Sequence, residues 1–248
     1  MTCERESFQT AKSNINPLSN SYQPDILFED NHLIAVNKRC GEIVQGDKTG
    51  DECLADRVKA YIKTRYAKPG DVFLGVVHRL DRPVSGALLF ARTSKALERM
   101  NSMFREKTIQ KTYWAIVKSI PPENEGRLIN HLIRNEKLNK SFVVPMGTSN
   151  SKESILDYKL LASSDKYHLL EIKLHTGRHH QIRCQLAHIG CPIKGDLKYG
   201  FPRSNENAGI DLHSRKIEFI HPVAKTRICV IAPLPETELW HFFGGLAE

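Results

Sequence analysis

One carboxylate stands out among the residues able to do chemistry. Asp81 lies in Gly75-Val76-Val77-His78-Arg79-Leu80-Asp81-Arg82-Pro83-Val84-Ser85-Gly86-Ala87-Leu88-Leu89-Phe90. An apolar strand there runs into a charged loop, passes a proline and a Ser-Gly turn, and returns as an apolar strand. That pattern sets an acid at the lip of a sheet, on irregular backbone held by rigid elements, where function concentrates. A carboxylate so placed can serve as a base or a nucleophile. Alone, it could equally cap a turn or pair with Arg79 or Arg82. A second dense segment runs from Leu174 through Thr176-Gly177-Arg178-His179-His180-Gln181-Ile182-Arg183 to Gly190. It predicts a strand end, a Thr-Gly turn and a helix stopped by the glycine. Ile182, Leu186 and Ile189 take the apolar face of that helix. Arg183 then lies to one side, partly buried, and in need of a carboxylate such as Asp81.

The elements that must hold these groups are strands joined by hairpins and helices. Ile26 to Val36 predicts two short strands around an Asp-Asn turn. Thr49-Gly50-Asp51-Glu52 offers a capping box for an amphipathic helix over 51–66, with Leu54, Val58, Tyr61 and Ile62 as its stripe. A second helix is expected over 94–106, a strand over 111–117, and hairpins pairing 155–161 with 167–174 and 216–220 with 227–231. The fold class is therefore α+β, with a mixed or largely antiparallel sheet. Residues 1–24 are polar and read as a mobile N-terminal tail, ahead of one catalytic domain over 25–248.

Together these segments resemble the RluA-type RNA pseudouridine synthases. His78-Arg79-Leu80-Asp81 with Ser85-Gly86, and Thr176-Gly177-Arg178-His179-His180-Gln181-Ile182-Arg183, are similar to that family's motifs. So are Lys111-Thr112-Tyr113-Trp114-Ala115, Pro192-Ile193-Lys194-Gly195-Asp196-Leu197-Lys198-Tyr199-Gly200, Leu212-His213 and Phe219-Ile220-His221-Pro222, in the family's order. Departures are Val84 in place of a usual Thr, Gln185 near a usual His, and Asn37-Lys38-Arg39-Cys40-Gly41 in place of Asn-Lys-Pro-x-Gly. The resemblance implies a pseudouridine synthase fold, a bent sheet flanked by helices with a central RNA-binding cleft. It implies isomerisation of chosen uridines in structured RNA, ribosomal RNA ahead of tRNA, with base flipping and no cofactor or metal. Catalysis is expected from Asp81, with Arg183 holding it charged and oriented and Tyr113 stacking on the uracil and helping to remove its C5 proton. Arg79 is expected to support base flipping. Lys38, Arg82, Arg178, Lys194 and Lys198 are expected to meet phosphates. About 25 residues precede the match, too few for the S4 RNA-binding domain of some relatives.

Composition agrees with a polyanionic partner. The 248 residues carry 36 lysines and arginines against 28 acids, a formal charge of +8, which favours RNA without identifying it. The six cysteines form no CxxC pair, as expected of reduced thiols in the cytoplasm. No apolar stretch approaches a membrane span. A monomer without an obligatory protein partner is expected. Two rival readings remain open to the residues themselves. His180, Cys184 and His188 share a helix face and could suggest zinc, but the first and last lie about 12 Å apart along the axis, too far for one ion. A basic RNA-binding module without turnover is the other.

Overall fold

The computed structural model describes residues 23–46 and 50–247; the expected tail over 1–24 lies outside them, apart from Gln23 and Pro24. In chain order the strands are β1 (Ile26–Glu29), β2 (Leu33–Lys38), β3 (Gly75–Val76), β4 (Ser85–Ala91), β5 (Gln110–Val117), β6 (Glu125–Asn135), β7 (Lys140–Val144), β8 (Lys152–Ser163), β9 (His168–Leu174), β10 (Leu212–Ile220) and β11 (Arg227–Ile231). The helices are α1 (Leu54–Arg65), α2 (Ser94–Arg105), α3 (Gln181–His188) and α4 (Glu238–Ala247). All eleven strands join one open sheet of order β1-β2-β4-β10-β5-β9-β8-β6-β7, with β3 on β4 and β11 on β10. Its pairings are antiparallel except β4 with β10, so the expected α+β class is what the chain adopts.

The central strands are buried on both faces, and their alternation divides the core. Ile34, Val36, Leu88, Phe90, Tyr113, Ala115 and Ile172 point to one side, where α1 brings Leu54, Val58 and Ile62 and α3 brings Ile182 and Leu186. Leu33, Ala35, Ala87, Leu89 and Ala91 point to the other and receive Ala96 and Met100 of α2. Trp114, Ile116 and Leu169 also face away from Tyr113, and α4 covers them with Trp240 and Phe243. Period-two alternation thus puts Tyr113 on the side of α3, which the cleft chemistry requires.

Helix α2 starts where its cap dictates: Thr93 Oγ1 accepts from the Ala96 N–H at 3.2 Å. Helix α1 differs from expectation. Its N-cap is Cys53, without a side-chain capping bond, and the helix starts at Leu54. Thr49, the expected capping residue, lies outside the described residues. Leu54 and Ala55 N–H groups instead donate to the Ile43 and Val44 carbonyls, so the preceding loop satisfies the helix start.

Candidate active site

The segment from Val77 to Val84 leaves β3, crosses the open end of the sheet and enters β4. It is fixed at several points. The Val84 N–H donates to the Asp81 carbonyl at 3.0 Å, making a tight turn around the acid. His78 Nε2 accepts from the Leu89 N–H at 3.0 Å, and burial pushes this imidazole down to about 3, so it stays neutral. From beneath, Lys38 Nζ donates to the carbonyls of Arg39, Arg82 and Val84 at 3.0, 3.1 and 2.7 Å. Lys38 is fully buried. It is therefore a pin for the Asp81 loop and not the phosphate contact expected from sequence; with its ammonium enclosed by carbonyls, no phosphate reaches it. Burial also pushes its pKa down to about 8.

Helix α3 brings the second half of the site. Thr176 Oγ1 accepts from the Ile155 N–H and donates to Gln181 Oε1, which also takes the Arg178 N–H at 3.0 Å. Gln185 Nε2 reaches Asn130 Oδ1 at 2.8 Å, so a ladder of buried amides bolts the helix to β6 and β8. This satisfied network holds Arg183 rigidly. Its Nη1 donates to Asp81 Oδ2 at 3.1 Å, while Nε and Nη2 grip Asp196 at 2.6 and 2.8 Å in a bidentate pair. The expected Asp81–Arg183 pair is present, and Asp196, 1% exposed, is the stronger partner, unanticipated from sequence.

A third group converges on the same oxygen. His180 adopts a left-handed backbone at the start of α3, with φ of 51°. Its Nε2 lies 3.5 Å from Asp81 Oδ2 and its Nδ1 lies 3.1 Å from the Tyr199 hydroxyl. The Tyr199 oxygen accepts from the Ser141 N–H at 2.8 Å, leaving its own proton for His180 Nδ1. That assigns the His180 hydrogen to Nε2, facing Asp81. Burial and the neighbouring Arg183 push the ring down to about 2, so this contact is a neutral dipole and no ion pair. Both neighbours of Asp81 thus engage Oδ2. No hydrogen bond among the described residues takes Oδ1, and the side chain is 30% exposed to the cleft.

The cleft itself has a volume of about 1020 Å³. Tyr113 lines it, buried among apolar groups; that burial, and then the charge of Asp81, push its phenol well above the usual range. Arg79, Arg82, Arg178 and Lys198 are exposed along the same cleft. Arg82 pairs with Asp51 at 3.1 Å and Arg178 Nε donates to the Glu153 carbonyl. Lys198 Nζ donates to the Leu138 and Asn139 carbonyls. Lys194 departs from expectation: it does not line the cleft, and its ammonium is held by Asp211 at 2.9 Å and Asn205 at 2.7 Å. Sequence reading missed Arg105, Lys107, Lys111 and Arg134, which complete the lining. Only Lys111 carried a signal, two residues before Tyr113 and so on the same strand face. Among the described residues the lining holds nine lysines and arginines and a single carboxylate, Asp81, so its field favours an anionic ligand. Cys184 of the zinc alternative is buried, its thiol directed to the Ser141 carbonyl at 3.3 Å.

Comparison with known proteins agrees with this geometry. The profile of the RNA pseudouridylate synthase family matches residues 32–188, which contain Asp81, Tyr113 and Arg183. An uncharacterized RNA pseudouridine synthase of Synechocystis is 35% identical over 215 residues, covering 85% of this chain and 65% of the relative. The ribosomal large subunit pseudouridine synthase C of Vibrio cholerae is 35% identical over 216 residues, 84% of this chain and 65% of the relative. That of Buchnera aphidicola is 31% identical over 241 residues, 94% and 74% of the two chains. The chain thus spans just under two thirds of the first two relatives. Among solved structures, human RNA pseudouridylate synthase domain containing 4 superposes with a TM-score of 0.73 at 24% identity, covering 89% of this chain and 90% of the other, which shows a shared fold. With a matching profile across most of the sheet and the cleft, the chain belongs to the RNA pseudouridylate synthase family.

Proposed function

We propose that this protein converts uridine to pseudouridine in structured RNA, with Asp81 as the catalytic carboxylate. The observation that carries this reading is a lone carboxylate, one oxygen held and one open, in a cleft whose other charged side chains are lysines and arginines. The reaction breaks the bond from uracil N1 to ribose C1′, turns the base, and joins C5 to C1′. Asp81 Oδ1 is the oxygen free to act, either by adding to C1′ or by taking the C2′ proton; Oδ2 stays with Arg183 and His180. Tyr113 offers its ring to the uracil. Because its phenol is held neutral, stacking suits it more directly than taking the C5 proton. Arg79, exposed at the rim with no ion pair among the described residues, is placed to fill the gap left by a flipped uridine. Flipping costs least in loops, which favours loop uridines over long duplexes.

The named relatives that act on the large ribosomal subunit favour ribosomal RNA over tRNA as the substrate. The described cysteines are unpaired, which fits a reducing cytoplasm. No helix among the described residues is long and apolar enough to cross a membrane. The test is pseudouridine mapping of RNA from cells lacking the gene, complemented with wild type or Asp81→Asn. A defined site restored by wild type alone is expected. Equal restoration by Asp81→Asn would overturn the role of the carboxylate, and no change at any uridine, with sister enzymes also deleted, would favour a binding module without turnover.

A further inference from the structure

Lys111 is the second residue of β5, the strand that carries Tyr113, and the functions above leave it unused. Its side chain lines the cleft beside the Phe104 ring, with Nζ 5.6 Å from the centroid. A Cβ on Gly177 would sit 3.4 Å from Nζ, so the Thr-Gly turn leaves room for the ammonium. No acid pairs with it among the described residues. The groups sharing its side of the cleft are the neutral His78 from the β3–β4 loop, Arg105 and Lys107 from the end of α2 and the turn after it, and Arg178 from the β9–α3 loop; the one carboxylate is Asp81. A half-buried cation with no counter-ion among the described residues, inside a cationic wall, is a site for an external anion. Two residues along a strand span about 7 Å, roughly one nucleotide step from the base that Tyr113 receives.

We propose that Lys111 forms a subsite for the phosphodiester adjoining the target uridine. This rests on the RNA reading above. Burial pushes its pKa down to about 8, so the contact is present at pH 7 and fades as pH rises through 8.

The test is binding of a fluorescein-labelled, uridine-containing stem-loop RNA by wild type, Lys111→Met and Lys111→Arg, against pH and salt. Arginine stays charged throughout, so the affinity of Lys111→Arg relative to wild type is expected to rise roughly tenfold from pH 7 to 9, the fall in protonated fraction of a group titrating near 8. Lys38 also titrates there but is common to all three proteins and drops out of the ratio. Lys111→Met should lower the slope of log affinity against log salt by about 0.7, one released counter-ion on a single strand. A wild-type slope in Lys111→Met, or lost turnover with unchanged binding, would overturn the subsite. Should Lys111→Met fold poorly, Lys111→Gln takes its place in the salt series, and a wild-type slope there refutes the proposal. If wild type forms no pseudouridine yet these binding differences hold, the proposed reaction fails and the subsite stands.

Discussion

Two carboxylates share Arg183 unequally. Asp196 takes two of its nitrogens at 2.6 and 2.8 Å, and Asp81 receives the third at 3.1 Å. The guanidinium is therefore compensated before it meets Asp81, and it orients the acid without being wholly its counter-ion. Asp196→Asn should free the guanidinium to swing, lowering single-turnover pseudouridine formation at least about tenfold with RNA affinity nearly unchanged. It should also cost about 3 kcal/mol of stability in urea unfolding, because a buried pair is broken from one side. A variant that unfolds as expected yet turns over at the wild-type rate would show that Asp196 serves the fold alone. That Arg183 meets Asp81 and that Tyr113 lines the same cleft was expected from the resemblance of their motifs to a family, since spacing alone left Asp81 a possible turn cap. Lys38 was not legible: its type suggests a solvated surface, and nothing near it reveals that carbonyls 44 and 46 residues onward enclose its ammonium. Asp196 was visible in its Gly-Asp segment, but the fold alone makes it the partner of an arginine 13 residues earlier.

Strand β4 enters the sheet beside β10 at a place that admits only glycine. Gly86 has φ of +110°, and a Cβ there would lie 2.4 Å from the Ser214 carbonyl oxygen. Backbone cannot give way as a side-chain tip does, so Gly86→Ala is expected to destabilise by about 3 kcal/mol, read as a lower denaturant midpoint. Ser214 pairs with Tyr113 across β10 and β5, so turnover should fall as well; an unchanged midpoint would contradict the close approach. Strands with regular alternation and helices with a clear stripe were legible. Strands β6 and β7 were not anticipated, because Leu128-Ile129 and Leu132-Ile133 break the alternation and Ile129 remains exposed. Helix α4 was hidden by Gly244-Gly245, which lowers helix propensity. The first of these glycines has a packing reason, since a Cβ there would meet Leu234 at 2.6 Å.

Across the whole molecule, buried neutral histidines couple folding to acid. His213 is 1% exposed, and burial pushes it down to about 4, whereas an unfolded histidine titrates near 6.5. Between these values the unfolded chain binds more protons, so stability falls as pH drops through that window. For His213 alone the loss from pH 7 to 5 is on the order of 2 kcal/mol, and His213→Asn should flatten the pH dependence of urea unfolding by that amount. An unaltered slope would mean that His213 does not titrate there. Strand β10 has a different consequence. It lies between β4 and β5, strands complete by residue 117, yet it begins only at Leu212. During synthesis from the N-terminus, β4 and β5 thus wait with open edges while about 95 further residues emerge, a delay of several seconds at ordinary translation rates. The nascent chain is exposed to edge-to-edge aggregation for that interval, and the strand that follows Asp81 and the strand that carries Tyr113 are joined only when β10 enters between them.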